Sequence, residues 1–425
     1  MTLLAQPTTD TTIWPVDSGI NAYGHFEIGG CDAIELVREF GSPAYVVSED
    51  DIRRRAREYV DAFKHAGHTN FDVLFASKAF PCLAAYQIFV EEGLSCDAAS
   101  AGELFLALRG GMDPRRICLH GNAKTSDELR YALDERVGYI VVDSFDEIER
   151  LAGLVAGRQQ DVLVRVTPDI RPTTHTSIST GQADSKFGFG IADARRAIKQ
   201  IEGLSQLHLR GLHVHIGSQV MDLAPFEYAV GAIASLGDFE VYNLGGGLGV
   251  AYSTREDPPS IRGYVEQKVR AIRAYLGPDK LILIEPGRSL VANAGVTLYS
   301  IISVKKNVST YVAVDGGMSD NLRPMLYKAP YEAVIAGRID APANVACRLV
   351  GKHCESGDVL VQDAHLNDPG VGDVVVTPVT GAYGHAMANN YNAMLRPPVI
   401  FCKDGSARVV VRRESPEDLV ARDVV

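Results

Sequence analysis

Eight short apolar segments recur along the first two-thirds of the chain, and each ends in polar or glycine-rich residues. They read FDVLFASK (71–78), GLSCDAAS (93–100), ICLHGNAK (117–124), GYIVVDS (138–144), DVLVRVTP (161–168), LHVHIGS (212–218), VYNLGGG (241–247) and LILIEPG (281–287). Most are followed by a helical pattern. Ser48 with Asp51, Ser100 with Glu103 and Ser144 with Glu147 have the spacing of helix-start capping pairs. Eight strand-then-helix units are what a (β/α)8 barrel needs, and such a barrel carries its active site at the strand C-termini.

After about residue 288 the pattern changes. VTLYSIISVKK, STYVAVDGG, VACRLVGK, VVVTPVT, PPVIFC and ARVVVRRE are short β-rich runs separated by Gly, Pro, Asp and Asn. The expected class is α/β: a TIM barrel over residues 36–288, and a mainly antiparallel, β-barrel-like domain from residues 1–35 and 289–425. Two doubly wound domains fit a single series of eight strands less well.

Composition narrows the class. The 425 residues are 46% hydrophobic, enough for a large core, and the length favours two domains. The net charge of -11 argues against nucleic acid or an anionic membrane as partner. Seven scattered cysteines do not form a disulfide framework. MTLLAQPTTDTTIWP lacks the basic start and apolar run of a signal peptide, and no segment has the continuity of a membrane span. A cytoplasmic globular protein is expected.

The strand ends carry the chemistry. Lys78 closes an apolar run; there a lysine is a Schiff-base residue, a phosphate ligand or a solvated strand end. Gly245, Gly246 and Gly247 let backbone N–H groups approach an anion, although such a cluster also serves as a tight turn. The loops after strands seven and eight of many barrels bind phosphate. Glu285 ends a run of isoleucines and leucines and needs a proton-bearing or cationic partner; a protonated pyridine nitrogen or an arginine would serve. His213 and His215 are expected on opposite faces of their strand, with His215 toward a ligand and no metal pair between them. In GKHCESGD, Cys354 is either a small packed hydrophobe or part of an exposed functional loop, and the polar run around it favours the loop. Lysine, glycines and glutamate together suggest an enzyme holding a phosphorylated, carbonyl-bearing cofactor.

FASKA, SAGEL, HGNAK, STGQADSKFGFG, HVHIGSQ, NLGGGLG, EPGRS, DGGMSDNLRPMLY, CESGD and GAYGHAMANNYN follow one another in this order, and the match covers the chain from about residue 20 to 415. On these motifs the chain resembles the diaminopimelate decarboxylases, of the alanine-racemase-like, fold type III group of pyridoxal-phosphate enzymes. The resemblance implies pyridoxal 5'-phosphate as cofactor, no metal, and a homodimer with shared active sites. It implies decarboxylation of meso-2,6-diaminopimelate at its D-centre to L-lysine and carbon dioxide, the last step of lysine biosynthesis.

The same resemblance assigns residues. Lys78 matches the lysine bonded to the cofactor, and His215 the histidine stacked on its ring. Ser218, Gly246, Gly247, Arg288 and Tyr383 match positions at or near its phosphate. Glu285 matches the carboxylate beside the ring nitrogen. Arg323, Tyr327 and Glu355, with Arg288 and Tyr383, match groups at the substrate, and Cys354 the proton donor. Cys354 and Glu355 would reach the other subunit's site. The intact NLRPMLY argues for a distal carboxylate on the substrate, and against ornithine or arginine decarboxylation. Phe80, Thr167 and Lys352-His353 depart from the usual family pattern and bear on substrate range more than on the reaction.

Overall fold

The computed structural model describes residues 12–169 and 185–424, together with the backbone of a two-residue strand at Gln6–Pro7. Residues 179–184 of the STGQADSKFGFG motif lie outside the described residues. The chain divides into two compact units. One takes the described residues of Arg55–Val250 and Pro258–Ser289, the other those of Met1–Arg54, Ala251–Asp257 and Leu290–Val425.

The first unit is a closed parallel barrel. Its strands in chain order are Phe71–Ala76, Ser95–Ala98, Ile117–Leu119, Tyr139–Val142, Gln160–Val166, Leu207–Val214, Val241–Asn243 and Leu281–Ile284. Pairing of the eighth strand with the first, Ile282 opposite Phe71, closes the cylinder. All eight coincide with the apolar segments of the sequence. Side chains of a strand alternate between two environments. Leu74 joins Cys118, Val141, Leu163, Val241 and Leu283 in one buried cluster. Phe75, one residue on, stacks on Phe89 of the helix Leu83–Glu91, with ring centroids 4.2 Å apart. Truncating one of the cluster's leucines to alanine is expected to cost about 2–5 kcal/mol.

Ser48, Ser100 and Ser144 accept from the N–H groups of Asp51, Glu103 and Glu147 at 3.0, 3.2 and 3.3 Å. The Glu103 side chain does not complete a reciprocal box; it accepts from the Ala99 N–H instead. The reciprocal box in the barrel's helices forms at Thr125 and Glu128.

In the second unit, Gly295–Lys306 is the organising strand of a nine-stranded sheet. It pairs along its length with Ala44–Ser48, Val374–Thr377 and Thr310–Val314, and its register shifts between Ile301 and Ser303. The sheet is mainly antiparallel. Parallel pairings occur between Thr310–Val314 and Val345–Val350, and between Ala44–Ser48 and Val399–Lys403. Ser18–Ile20, Phe26–Ile28 and Cys31–Asp32 form a small antiparallel sheet of their own with Gln6–Pro7.

Candidate active site

The C-terminal ends of the barrel strands gather a polar site over the apolar core. The first strand runs into a single 3-10 turn, Ser77–Ala79, which carries the half-buried Lys78. The Ser77 hydroxyl donates to the Asp97 carbonyl and ties this turn to the second strand. Lys78 acts electrostatically on Asp97, Glu103, His120 and His215.

Glu285 is the centre of the site's floor. Its Oε1 accepts from Asn243 Nδ2 at 2.7 Å, and its Oε2 lies 3.2 Å from His213 Nε2. Burial by itself would raise the Glu285 pKa, but His213 and His120 more than offset this and hold the group well below the usual carboxylate range. Burial lowers the His213 pKa, so a neutral imidazole donates to an ionised Glu285. His120 stacks on His213 with centroids 5.9 Å apart, and burial lowers it to about 4. Burial, with the negative charge of Glu285, raises Asp97 well above the carboxylate range. Asp97, His120 and Glu285 bring ligand-type atoms within 4.8 Å of one another. One buried carboxylate thus stays charged, while its acidic neighbour takes up a proton.

His213 and His215 do not lie on opposite faces. Residues i and i+2 of a strand project to the same side, and both histidines face the barrel site. His213 serves the floor, while His215 Nδ1 accepts from the Gly246 N–H at 3.2 Å. Burial and the charge of Lys78 lower the His215 pKa well below its usual value, keeping the ring neutral.

The glycine cluster has no room for side chains. A Cβ on Gly246 would stand 2.1 Å from the Glu285 carbonyl oxygen, and one on Gly247 2.6 Å from that of Gly217. Gly245 and Gly247 also adopt positive φ, at 58° and 107°. The Val220 N–H donates to the Gly247 carbonyl and draws the loop after the sixth strand alongside the cluster. That loop carries Ser218, whose Oγ receives Arg288 Nη2 at 2.8 Å. Among the described residues the Gly247 N–H meets no acceptor. A cradle that only glycines can form, flanked by a hydroxyl and a guanidinium, fits a phosphate ester. A lysine at its rim and an ionised glutamate below fit the remaining parts of a phosphorylated pyridine aldehyde.

The structure therefore brings together Lys78, His215, Ser218, Gly246, Gly247, Glu285 and Arg288. Arg323, Tyr327, Tyr383, Cys354 and Glu355 belong to the other unit. Arg323 is 4% exposed and starts the short helix Arg323–Tyr327. Its Nη1 donates to the Tyr331 hydroxyl at 2.6 Å, and its guanidinium lies 4.3 Å from the Tyr252 ring centroid. Tyr383, with φ of 61°, contributes to the electrostatics of the same group. Tyr327 is half-buried.

Cys354 is the one exposed cysteine of the seven, and Glu355 beside it is exposed. The polar run around them is not uniformly exposed, as its composition suggests. His353 and Asp358 are buried, with His353 Nδ1 2.9 Å from Asp358 Oδ2. Asp358 also accepts from the N–H groups of Met318 and His353, so it staples two loops together. The buried hydrogen bonds of Asp358 fix the stem, and the exposed Cys354–Glu355 tip projects from it. No described hydrogen bond or ion pair links Arg323 with Cys354 or Glu355.

Of the departures from the family pattern, Phe80 is buried, and Thr167 Oγ1 donates to the Phe187 carbonyl at 2.5 Å. Asp97, His120, Asn243 and Arg165 escaped the sequence reading. Asp97, His120 and Asn243 are polar residues at the ends of apolar runs, the same signal that marked Lys78 and Glu285. Arg165 stands between two valines near the end of its strand and is buried against the Phe187 ring, 4.3 Å from its centroid.

Residues 49–292 match the family described as pyridoxal-dependent decarboxylase, pyridoxal binding domain. The diaminopimelate decarboxylase of Actinosynnema pretiosum subsp. auranticum is 45% identical, over 99% of this chain and 98% of its own. That of Bacillus subtilis strain 168 is also 45% identical, over 95% of this chain and 96% of its own. The crystal structure of the M. jannaschii diaminopimelate decarboxylase in co-complex with L-lysine superposes with a TM-score of 0.90 at 33% identity, covering 97% of this chain and 98% of that one. With these similarities, a fold type III barrel and a site fitted to its cofactor, the chain belongs to the diaminopimelate decarboxylases, a family of pyridoxal-phosphate-dependent carboxy-lyases.

Proposed function

We propose that the protein decarboxylates meso-2,6-diaminopimelate at its D-centre to L-lysine and carbon dioxide, as a cytoplasmic homodimer with shared active sites. The observation that carries the substrate reading is Arg323. Its guanidinium is buried, and among the described residues no carboxylate pairs with it. Burial opposes its charge, but the surrounding tyrosines outweigh burial and raise its pKa. A buried, rigidly held guanidinium without an acid suits an incoming carboxylate better than an incoming cation.

Bound pyridoxal phosphate supplies an electrophilic carbonyl and a ring that accepts the electron pair left behind when the carboxylate departs. Lys78 would hold it through its side-chain amine. Ser218, Gly246, Gly247, Arg288 and Tyr383 would hold its phosphate, and neutral His215 would pack against its ring. Ionised Glu285 keeps the proton on the ring nitrogen. Arg323 and Tyr327, with Arg288, Tyr383 and Glu355, hold the distal end of the substrate. That end carries both an amine and a carboxylate, so an arginine and a glutamate are both needed. Cys354 Sγ delivers a proton to the carbon that has lost carbon dioxide. Its exposure at a loop tip suits a group that serves the neighbouring subunit's site.

The test uses purified holoenzyme with meso-diaminopimelate, L-lysine, L-ornithine and L-arginine, measuring carbon dioxide and amine products. Lysine and carbon dioxide are expected from meso-diaminopimelate alone. Faster release from ornithine or arginine would overturn the reading. Borohydride reduction followed by peptide mass mapping should place the cofactor adduct on Lys78, and label on another lysine would overturn that assignment.

A further inference from the structure

The glycine loop that faces the phosphate has a second side, and a buried lysine occupies it. Helix Ile261–Tyr275 packs there with Tyr264 and Lys268 one turn apart on the same face. Lys268 is 1% exposed. Its Nζ donates to the carbonyls of Leu244 and Gly245 at 2.5 and 3.1 Å. The Tyr264 hydroxyl lies 3.2 and 3.0 Å from the carbonyls of Gly245 and Gly246. The Lys268 Nζ also rests 4.4 Å from the Tyr264 ring centroid and 4.9 Å from that of Phe226. Among the described residues no carboxylate forms an ion pair with it. Burial holds its pKa well below the usual lysine value, and Glu285 is the one charge that opposes this.

A trans peptide fixes C=O and the following N–H in opposite directions. Anchoring the carbonyls of Leu244, Gly245 and Gly246 toward the helix therefore turns the N–H groups of Gly245, Gly246 and Gly247 the other way. There the Gly245 N–H donates to Asn243 Oδ1 at 3.0 Å and the Gly246 N–H to His215 Nδ1 at 3.2 Å, which leaves the Gly247 N–H, beside the Ser218–Arg288 pair, directed at the anion. A bare glycine loop would lose this orientation readily, because glycine pays the largest entropy to be held. A lysine is an unusual residue to bury for packing alone, since an apolar residue of its length would cost less to desolvate.

We infer that Lys268, with Tyr264, is a positioning residue for the cofactor phosphate: it holds the carbonyl side of the glycine loop so that the loop's backbone, with the Gly247 N–H, is pre-set for the anion. The inference rests on the assignment of that loop as the phosphate cup. Neither residue touches the cofactor; both act through the loop.

The test compares apo-protein affinity for pyridoxal phosphate with that for pyridoxal, which can bond to Lys78 but lacks the phosphate, by absorbance titration. The variants are Lys268→Met, Tyr264→Phe and Ser218→Ala. Lys268→Met should narrow the preference for the phosphorylated ligand by about tenfold, and Tyr264→Phe by about threefold, with pyridoxal affinity little changed. Equal weakening of both ligands, or an unchanged preference, would overturn the inference. If Lys268→Met does not fold, the milder Tyr264→Phe decides in the same way. Ser218→Ala separates the two ideas: if it leaves the preference intact, the phosphate cup itself is misassigned. If Ser218→Ala erodes the preference and the other two do not, the cup stands and the role of Lys268 fails.

Discussion

Glu285 shows how one side chain can have its charge set entirely by neighbours. A carboxylate buried in a barrel would take up a proton if left alone, as Asp97 beside it does. Asn243 and His213 each direct a hydrogen-bond donor at it, and it stays ionised. Replacing Glu285 with Gln keeps the size and removes the charge. Cofactor absorbance should persist in the Glu285→Gln variant, because Lys78 and the phosphate cup are untouched, while turnover falls by at least about a hundredfold. A variant that binds cofactor and turns over at the normal rate would contradict a role in holding the ring proton. Lys78, His215 and Glu285 were legible from sequence because each interrupts or ends an apolar run, while Ser218 and Arg288 came from the resemblance of the motifs that hold them. Arg165 and Lys268 were not. Each sits inside a regular element, where a charged residue reads as exposed until its partners are seen.

At the scale of elements, the turn before Arg323 is pinned to the sheet. The Tyr45 hydroxyl donates to the Asp320 carbonyl and the Tyr299 hydroxyl to Asp320 Oδ1, each at 2.6 Å, while the Gly317 N–H donates to Oδ2. Burial raises Asp320 from 3.8 to about 7 despite these bonds. A carboxyl whose folded pKa lies above its unfolded value binds more protons in the native state between the two. The stability it contributes is therefore complete below the unfolded pKa and is lost as the pH rises through about 7. Thermal melts of wild type and Asp320→Asn across this range should show the difference between them shift against the wild type as pH increases. Parallel curves would refute the raised pKa. The barrel elements themselves were readable as strands from apolar runs and as helices from serine caps. The strands Ala44–Ser48 and Val359–Leu366 went unread. The first is a short run just before a strong helix, and the second, VLVQDAHL, mixes exposed polar with buried apolar positions.

For the whole molecule, the question is whether two chains build each active site. Lys78 and Cys354 lie in different units of the chain, and the proposed function has them meet across subunits. Co-expressed Lys78→Ala and Cys354→Ala chains should then recover about a quarter of wild-type activity, because half of the dimers are mixed and each mixed dimer keeps one intact site. Activity no higher than in either single variant would rule out sharing. The sequence alone determined the barrel, its order of strands and the residue types at their ends, because periodicity and turn chemistry are local properties. It determined the family as well, since motifs keep their order along the chain. Tertiary structure alone decided that Glu285 stays charged while Asp97 does not, and that His353 is buried while Cys354 is exposed. It also revealed the lysine behind the glycine loop. Each of these depends on which groups from distant segments come within a few ångströms of one another, and no local pattern encodes that distance.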